Sequence, residues 1–200
     1  LRQSLIMFDG NVMVFLTPFY LQRLLHCAPN DVGLIMTACP LAIMAVAPFS
    51  GSLSDRVGTR TLACAGAAIC AIALLLMSLL PISATPQDIA WRLALFGIGT
   101  GIFQSPNNSA VMGSAPRPHF GTASGILATV RNIGMVLGIA TGGAVLYALV
   151  PVDVLQALSL TDEAADRFLY GSRYAYFAGA ILTAIAAVMS LIGRDGRRAG

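Results

Sequence analysis

The chain has 200 residues, 56% of them hydrophobic and only 10% charged, with a net charge of +3 and a mean hydropathy of +0.77. A soluble domain carries about 25% charged residues, and a fold of this size leaves too much surface in water to hide so much apolar area. The composition therefore argues against a soluble helical bundle and for lipid as solvent, while dispersed arginines without a basic stripe exclude nucleic acid as a partner.

A bilayer-spanning helix needs about 20 mainly apolar residues, and six spans follow in chain order. Span A, residues 4–25, contains Asp9, Asn11 and Pro18. Asp9 is a candidate proton-carrying or cation-binding carboxylate, because burial raises a carboxyl pKa toward neutrality. Span B covers residues 32–49, and the chain then turns charged at "GSLSDRVGTR", residues 51–60. Gly51 and Gly58 are expected to make tight turns at the two ends of a short loop. Asp55 is expected to meet a helix N-terminus, and Arg56 and Arg60 to bind carbonyls or carboxylates of a neighbouring helix.

Span C, residues 61–80, is uncharged and repeats Ala63, Ala67 and Ala71 at four-residue spacing. Span D, residues 89–111, has Gly97 and Gly101 on one face and Gln104, Asn107 and Asn108 beyond them. Span E, residues 121–150, contains Arg131 and Asn132, and Gly134, Gly138 and Gly142 spaced for close helix packing. An acidic connection, residues 151–173, leads to span F, residues 174–192. Arg131 is expected to point toward span D, near Asn107 and Asn108, where it lines an inner gate or cavity floor. Snorkelling to the headgroups is the competing placement.

These runs are too long and too uniformly apolar for barrel strands, so the fold class is an all-α integral membrane protein. Arg2, Arg56, Arg60, Arg117, Arg194, Arg197 and Arg198 fall on one side, and the acidic connection falls on the other. By the positive-inside rule the first side is cytoplasmic, with both termini. Polar residues concentrate in spans A, D and E, leaving C and F apolar in their interiors. The pattern repeats as A-B-C and D-E-F, with C and F expected at the lipid-facing periphery; a three-plus-three inverted repeat is a transporter architecture.

Gly51, Leu53, Asp55, Arg56, Gly58 and Arg60 fit G-x-L-x-D-R-x-G-x-R, which resembles the cytoplasmic signature between the second and third helices of each major facilitator superfamily half. "TPFYLQ" at residues 17–22, Asn30-Asp31-Val32-Gly33-Leu34, "SPNNSAVMGSAP" and "GTASGILATVRNIGMVLGIA" are similar to the C-terminal half of fourteen-span drug:proton antiporters, the EmrB/QacA drug-resistance type. His26 departs from the glycine common after "LQ-x-x" in that family. The resemblance covers nearly the whole chain. It implies one C-terminal six-helix half, residues 1–200, of a multi-pass cell (inner) membrane transporter whose N-terminal half lies elsewhere. It also implies a latch at Gly51, Asp55, Arg56, Gly58 and Arg60, and export of small hydrophobic or cationic compounds in exchange for protons by alternating access, with a proton gradient in place of a cofactor.

No nucleophile–base pair, Walker loop or metal spacing is present, which argues against an enzyme or an ATP-driven pump. Cys27, Cys39, Cys64 and Cys70 form no CxxC pair and read as small hydrophobes. A metabolite or sugar transporter of the same superfamily, and a non-transporting membrane interaction protein, remain open alternatives.

Overall fold

The computed structural model describes residues 2–81, 83–114, 116–150 and 162–192. The helices are α1 (Arg2–Arg23), α2 (Pro29–Met36), α3 (Ala38–Val57), α4 (Thr59–Ser78), α5 (Pro86–Ser114), α6 (Phe120–Leu149) and α7 (Asp162–Ile192), with a 3-10 turn at Arg117–His119 before α6. No strand occurs among the described residues. Pro29–Ser54, Thr59–Ser78 and Phe120–Val145 are each long and apolar enough to cross a membrane. In α5, Asp88, Arg92, Gln104, Asn107 and Asn108 dilute the apolar character of a helix that is longer still.

Prolines decide where several helices break or bind. Pro40 lacks the N–H that would bond the Met36 carbonyl, and its ring crowds that carbonyl. The helix accordingly breaks at Thr37, whose hydroxyl donates to the Leu34 carbonyl at 2.6 Å. At the start of α5, Thr85 is the N-cap and Pro86 the first helical residue. The Asp88 amide donates to Thr85 Oγ1 at 3.3 Å, while the Thr85 amide and hydroxyl donate to Asp88 Oδ2 at 2.9 and 2.7 Å. This is a reciprocal capping box, and the Thr85 donors hold the Asp88 carboxyl below its ordinary pKa.

Two expectations about turns are corrected. Gly51 through Val57 continue α3 as helix, and Gly58 alone (φ 91°, ψ 139°) separates α3 from α4. Gly51 is thus a packing residue within a helix, and Asp55 occupies the last turn of α3, at a helix C-terminus. The acidic connection, for which a short interfacial helix is one expectation, is helical from Asp162 onward and continuous with the last span; Asp162, Glu163 and Asp166 sit in the first turns of α7, where negative charge meets the helix dipole favourably. Residues 151–161 of that connection, and both chain ends, lie outside the described residues.

His26 takes a left-handed backbone (φ 50°) just past α1, where the Cys27 amide reaches back to the Leu21 carbonyl at 3.0 Å. A side chain in that conformation costs about 1–2 kcal/mol, and glycine is exempt. His26→Gly is therefore expected to raise stability by about 1 kcal/mol, measured by thermal unfolding of the complete protein in detergent. An unchanged or lower midpoint would contradict the assignment of strain.

The helices pack in a definite set of pairs: α4 with α5, α3 with α5, α4 with α7, α1 with α6, α1 with α7, and more lightly α6 with α7 and α3 with α4. The main core joins α1, α4, α5 and α7 around Met13, Leu16, Tyr20, Leu74, Phe96 and Tyr176. Glycines set the closest approaches. A Cβ on Gly66 of α4 would lie 2.6 Å from the Phe103 amide nitrogen and 2.7 Å from the Gly99 carbonyl oxygen of α5. A Cβ on Gly99 would lie 2.7 Å from Cys70 Sγ. On the other side of α5, a Cβ on Gly97 would strike the Cys39 carbonyl and Ala42 of α3. Alternate glycines in "GIGTG" thus serve two neighbours, since two residues advance a helix by about 200°.

Candidate transport face

The charged decapeptide and the polar residues of α5 meet at one end of the bundle. Pro106 has no N–H, which leaves the Ile102 carbonyl without its helical donor. Ser50 of α3, 2% exposed, fills the gap by donating its hydroxyl to that carbonyl at 2.9 Å. One residue on, a Cβ on Gly51 would come within 3.3 Å of Ser105 Oγ. The last two turns of α3 therefore lie against residues 102–105 of α5, with Gln104, Asn107 and Asn108 at the same level or one turn further out. All three are half-buried, and both asparagines have interaction partners. Removing the Ser50 hydroxyl leaves a part-buried carbonyl unsatisfied, at a cost of about 1 kcal/mol. Ser50→Ala is expected to lower the unfolding midpoint of the complete protein, and Ser50→Thr, which keeps the hydroxyl, to lower it less. Equal effects would mean that the hydrogen bond contributes nothing.

Within the decapeptide, Arg56 is exposed and Arg60 half-buried with a partner. The side chains of Asp9 and Asp55 lie outside the described residues, so the structure places only their backbone positions, Asp9 in the N-terminal half of α1 and Asp55 at the end of α3.

Arg131 and Asn132 are exposed on α6. α6 packs chiefly on α1 and then on α7, with little contact to α5. That packing lends no support to the expected direction of Arg131 toward α5 and its asparagines. The reason is a matter of partners: the glycine face identifies which side of α6 is close-packed but not which helix packs there. Gly134, Gly138 and Gly142 are buried, while neighbouring residues 135–137, 139 and 140 are exposed. Gly142 lines a small cleft of about 20 Å³ with Ala175, Ala178, Gly179 and Leu182 of α7.

The exposed faces differ in chemistry. On α4 the exposed residues from Ala65 to Leu79 are Ala65, Ile72, Leu75 and Leu79. On α7, from Tyr174 to Val188, they are Tyr174, Phe177, Ala178, Ile181, Ala184, Ile185 and Val188. Both sets carry aliphatic or aromatic side chains only. On α6, by contrast, Thr122, Thr129 and Asn132 are exposed at helical spacing on one face, and Arg131 is exposed on the side of Gly134 and Gly138, roughly opposite the two threonines at about 100° per residue.

The opposite end of the bundle carries polar ties that the sequence reading missed. Arg173 of α7 donates Nε and Nη2 to the Leu80 carbonyl at 3.1 and 2.6 Å, and the Tyr20 hydroxyl of α1 donates to the Pro81 carbonyl at 3.2 Å. The α4–α5 turn is thus held by α1 and α7 together. Deeper in, Thr17 donates its hydroxyl to the Met13 carbonyl at 2.7 Å, so the Tyr176 hydroxyl, 3.2 Å away, is the donor between the two side chains. "TPFYLQ" places Thr17 and Tyr20 together, but nothing in its spacing points to Tyr176 or Pro81. Among the described residues no group of three or more His, Cys, Asp or Glu is placed to hold a metal ion.

Comparison with known proteins gives one family throughout. The profile of the Major Facilitator Superfamily matches residues 3–199. The uncharacterized transporter YebQ of Escherichia coli K12 is 39% identical over 173 residues, covering 86% of this chain and 34% of YebQ. The riboflavin transporter RibZ of Clostridioides difficile is 38% identical, covering 66% of this chain and 29% of RibZ. The multidrug resistance protein Stp of Mycobacterium tuberculosis is 32% identical, covering 68% of this chain and 25% of Stp. The chain thus spans about a third or less of the length of these relatives. A crystal structure of the E. coli fucose:proton symporter FucP superposes with a TM-score of 0.70 at 16% identity, over 96% of this chain and 48% of FucP, which speaks to the fold alone.

Proposed function

The chain belongs to the Major Facilitator Superfamily, and from that premise we propose that it is the C-terminal six-helix half of a proton-coupled multidrug exporter of the fourteen-span antiporter type. That the protein is an integral membrane transporter follows from the family. The finer reading rests on one observation above others. The packing pairs are unchanged in kind when α1 is exchanged with α5, the α2–α3 pair with α6, and α4 with α7. Thus α3·α5 becomes α6·α1, α4·α5 becomes α7·α1, and α4·α7 maps onto itself. This exchange supports a three-plus-three repeat, the architecture in which two halves rock about a midplane site.

In this reading α1, α3, α5 and α6 line the transport pathway, and the apolar faces of α4 and α7 meet lipid. The Gly58 end is cytoplasmic. Gly51, Asp55, Arg56, Gly58 and Arg60 form a latch there that favours the inward-closed state, close to Gln104, Asn107 and Asn108. Arg131 and Asn132 face the pathway or the other half. Asp9 carries the coupled proton, and the substrate is a small hydrophobic or cationic compound. The multidrug resistance name of Stp is in keeping with that class. The riboflavin transporter RibZ favours a second reading, a metabolite transporter of the same superfamily.

Accumulation of a fluorescent cationic dye in cells expressing the complete protein tests the proposal. The dye level should fall below that of control cells and recover when a protonophore is added. Asp9→Asn should remove the pH dependence of export at equal expression. Export that survives the protonophore, or riboflavin movement with no dye export, would overturn proton-coupled multidrug efflux.

A further inference from the structure

At the end of the bundle opposite Gly58, α4 and α7 enclose a cleft of about 220 Å³ lined by Ser78, Leu79, Tyr170, Arg173, Tyr174 and Phe177. Leu79, Tyr170, Tyr174 and Phe177 are all exposed around it. The cleft opens on the two helices whose exposed residues from Ala65 to Leu79 and from Tyr174 to Val188 carry aliphatic or aromatic side chains only. Its single cation is fixed in place: Arg173 gives Nε and Nη2 to the Leu80 carbonyl, and Nη1 has no hydrogen bond to a described residue. A guanidinium held to a carbonyl by one edge keeps donors for an oxyanion, and its planar fork suits phosphate. Tyrosines beside it are the side chains that gather at the bilayer–water boundary, so the level of Arg173 matches that of lipid headgroups.

We propose that this cleft seats a phospholipid, with its phosphate on Arg173 and one acyl chain along Leu79, Tyr174 and Phe177. The charge of Arg173 complements the phosphate, and the apolar lining complements the chain. A ligand with only one of these two parts would leave either the cation or the aromatic surface unmatched. The seat would also brace the α4–α5 turn, since the same guanidinium holds the Leu80 carbonyl.

The test uses the complete protein in nanodiscs of phosphatidylethanolamine and phosphatidylglycerol, doped with phosphatidylethanolamine bearing a diazirine in one acyl tail. Irradiation followed by peptide mapping should place adducts on Leu79, Tyr174 and Phe177 about tenfold more often than on Ile185 and Val188, the difference one charge-assisted contact supplies. Diacylglycerol with the same tail should show no such preference. Leu79→Trp, which fills the cleft without touching the Arg173–Leu80 contact, should abolish the preference while the unfolding midpoint holds. Arg173→Gln should abolish it and Arg173→Lys should retain part of it. Uniform labelling along α7, equal labelling by diacylglycerol, displacement by inorganic phosphate, or crosslinks between two copies of the chain at this cleft would each overturn the proposal.

Discussion

Gly66→Ala is expected to cost about 3 kcal/mol, at the upper end of what overpacking of a well-packed interior costs. The added methyl would lie 2.6 Å from a backbone nitrogen and 2.7 Å from a backbone oxygen of α5. Backbone cannot step aside as a flexible side chain can, so α4 and α5 must separate. Separation would also open the neighbouring contacts of Cys70, whose Sγ lies 3.7 Å from Thr100 Oγ1. At about 1.4 kcal/mol per tenfold, the ratio of folded to unfolded protein falls by roughly a hundredfold. Gly99→Ala is expected to behave similarly, because its Cβ would meet the Cys70 nitrogen at 2.8 Å and the Gly66 carbonyl oxygen at 2.8 Å. Gly33→Ala is the control, with nothing within 4 Å of the new methyl. Denaturant unfolding of the complete protein, with the yield of monodisperse protein beside it, measures the difference. Equal stability of Gly66→Ala and Gly33→Ala would mean that α4 and α5 do not cross at these glycines.

Asp55→Asn is expected to reduce transport by between about fivefold and a hundredfold, the range of a coupling of about 1–3 kcal/mol, without reducing membrane insertion. The residue keeps its size and one acceptor oxygen but exchanges the other for an amide donor and loses its charge in the last turn of α3. A latch that favours one conformational state depends on that charge, whereas topology depends on the arginines. Arg60→Lys should be milder than Arg60→Ala, because lysine retains charge but not the fork. Initial transport rates at matched expression decide the point. Wild-type rates for Asp55→Asn would leave the decapeptide a topological signal only.

The long helices were readable from apolar run length, since a membrane imposes length directly on sequence. Arg2–Arg23, Thr59–Ser78, Pro86–Ser114 and Phe120–Leu149 lie within a few residues of the spans expected, whereas span B is broken at Thr37 and runs on to Val57, and span F begins at Asp162 instead of Tyr174. The decapeptide misled because glycine has two uses. Gly58 supplies a positive φ at a break, whereas Gly51 supplies close approach within a helix, and composition does not distinguish them. Small-residue spacing marked a close-packed face on α6 but not its partner, and α6 packs mainly on α1 and α7 rather than on α5. Gly66 and Gly99 went unpaired for the same reason: a stripe in one helix names no counterpart in another. The Ser50–Ile102 bond was foreseeable only in kind, as a freed carbonyl below Pro106 needing some donor. The polar positions Gln104, Asn107 and Asn108 were readable as exceptions in an apolar helix. Their level in the bundle became visible only through Ser50 and Gly51.

The most direct measurement concerns which helices face water. In the complete protein with Cys27, Cys39, Cys64 and Cys70 replaced, single cysteines are placed at Asn108, Asn132, Ile72 and Ile185, and reaction with a membrane-impermeant thiol reagent is timed in open vesicles. The account predicts reaction at Asn108→Cys and Asn132→Cys, accelerated or blocked by a transported substrate, and none at Ile72→Cys and Ile185→Cys, where α4 and α7 meet lipid. Reaction at Ile72→Cys as fast as at Asn132→Cys would contradict it.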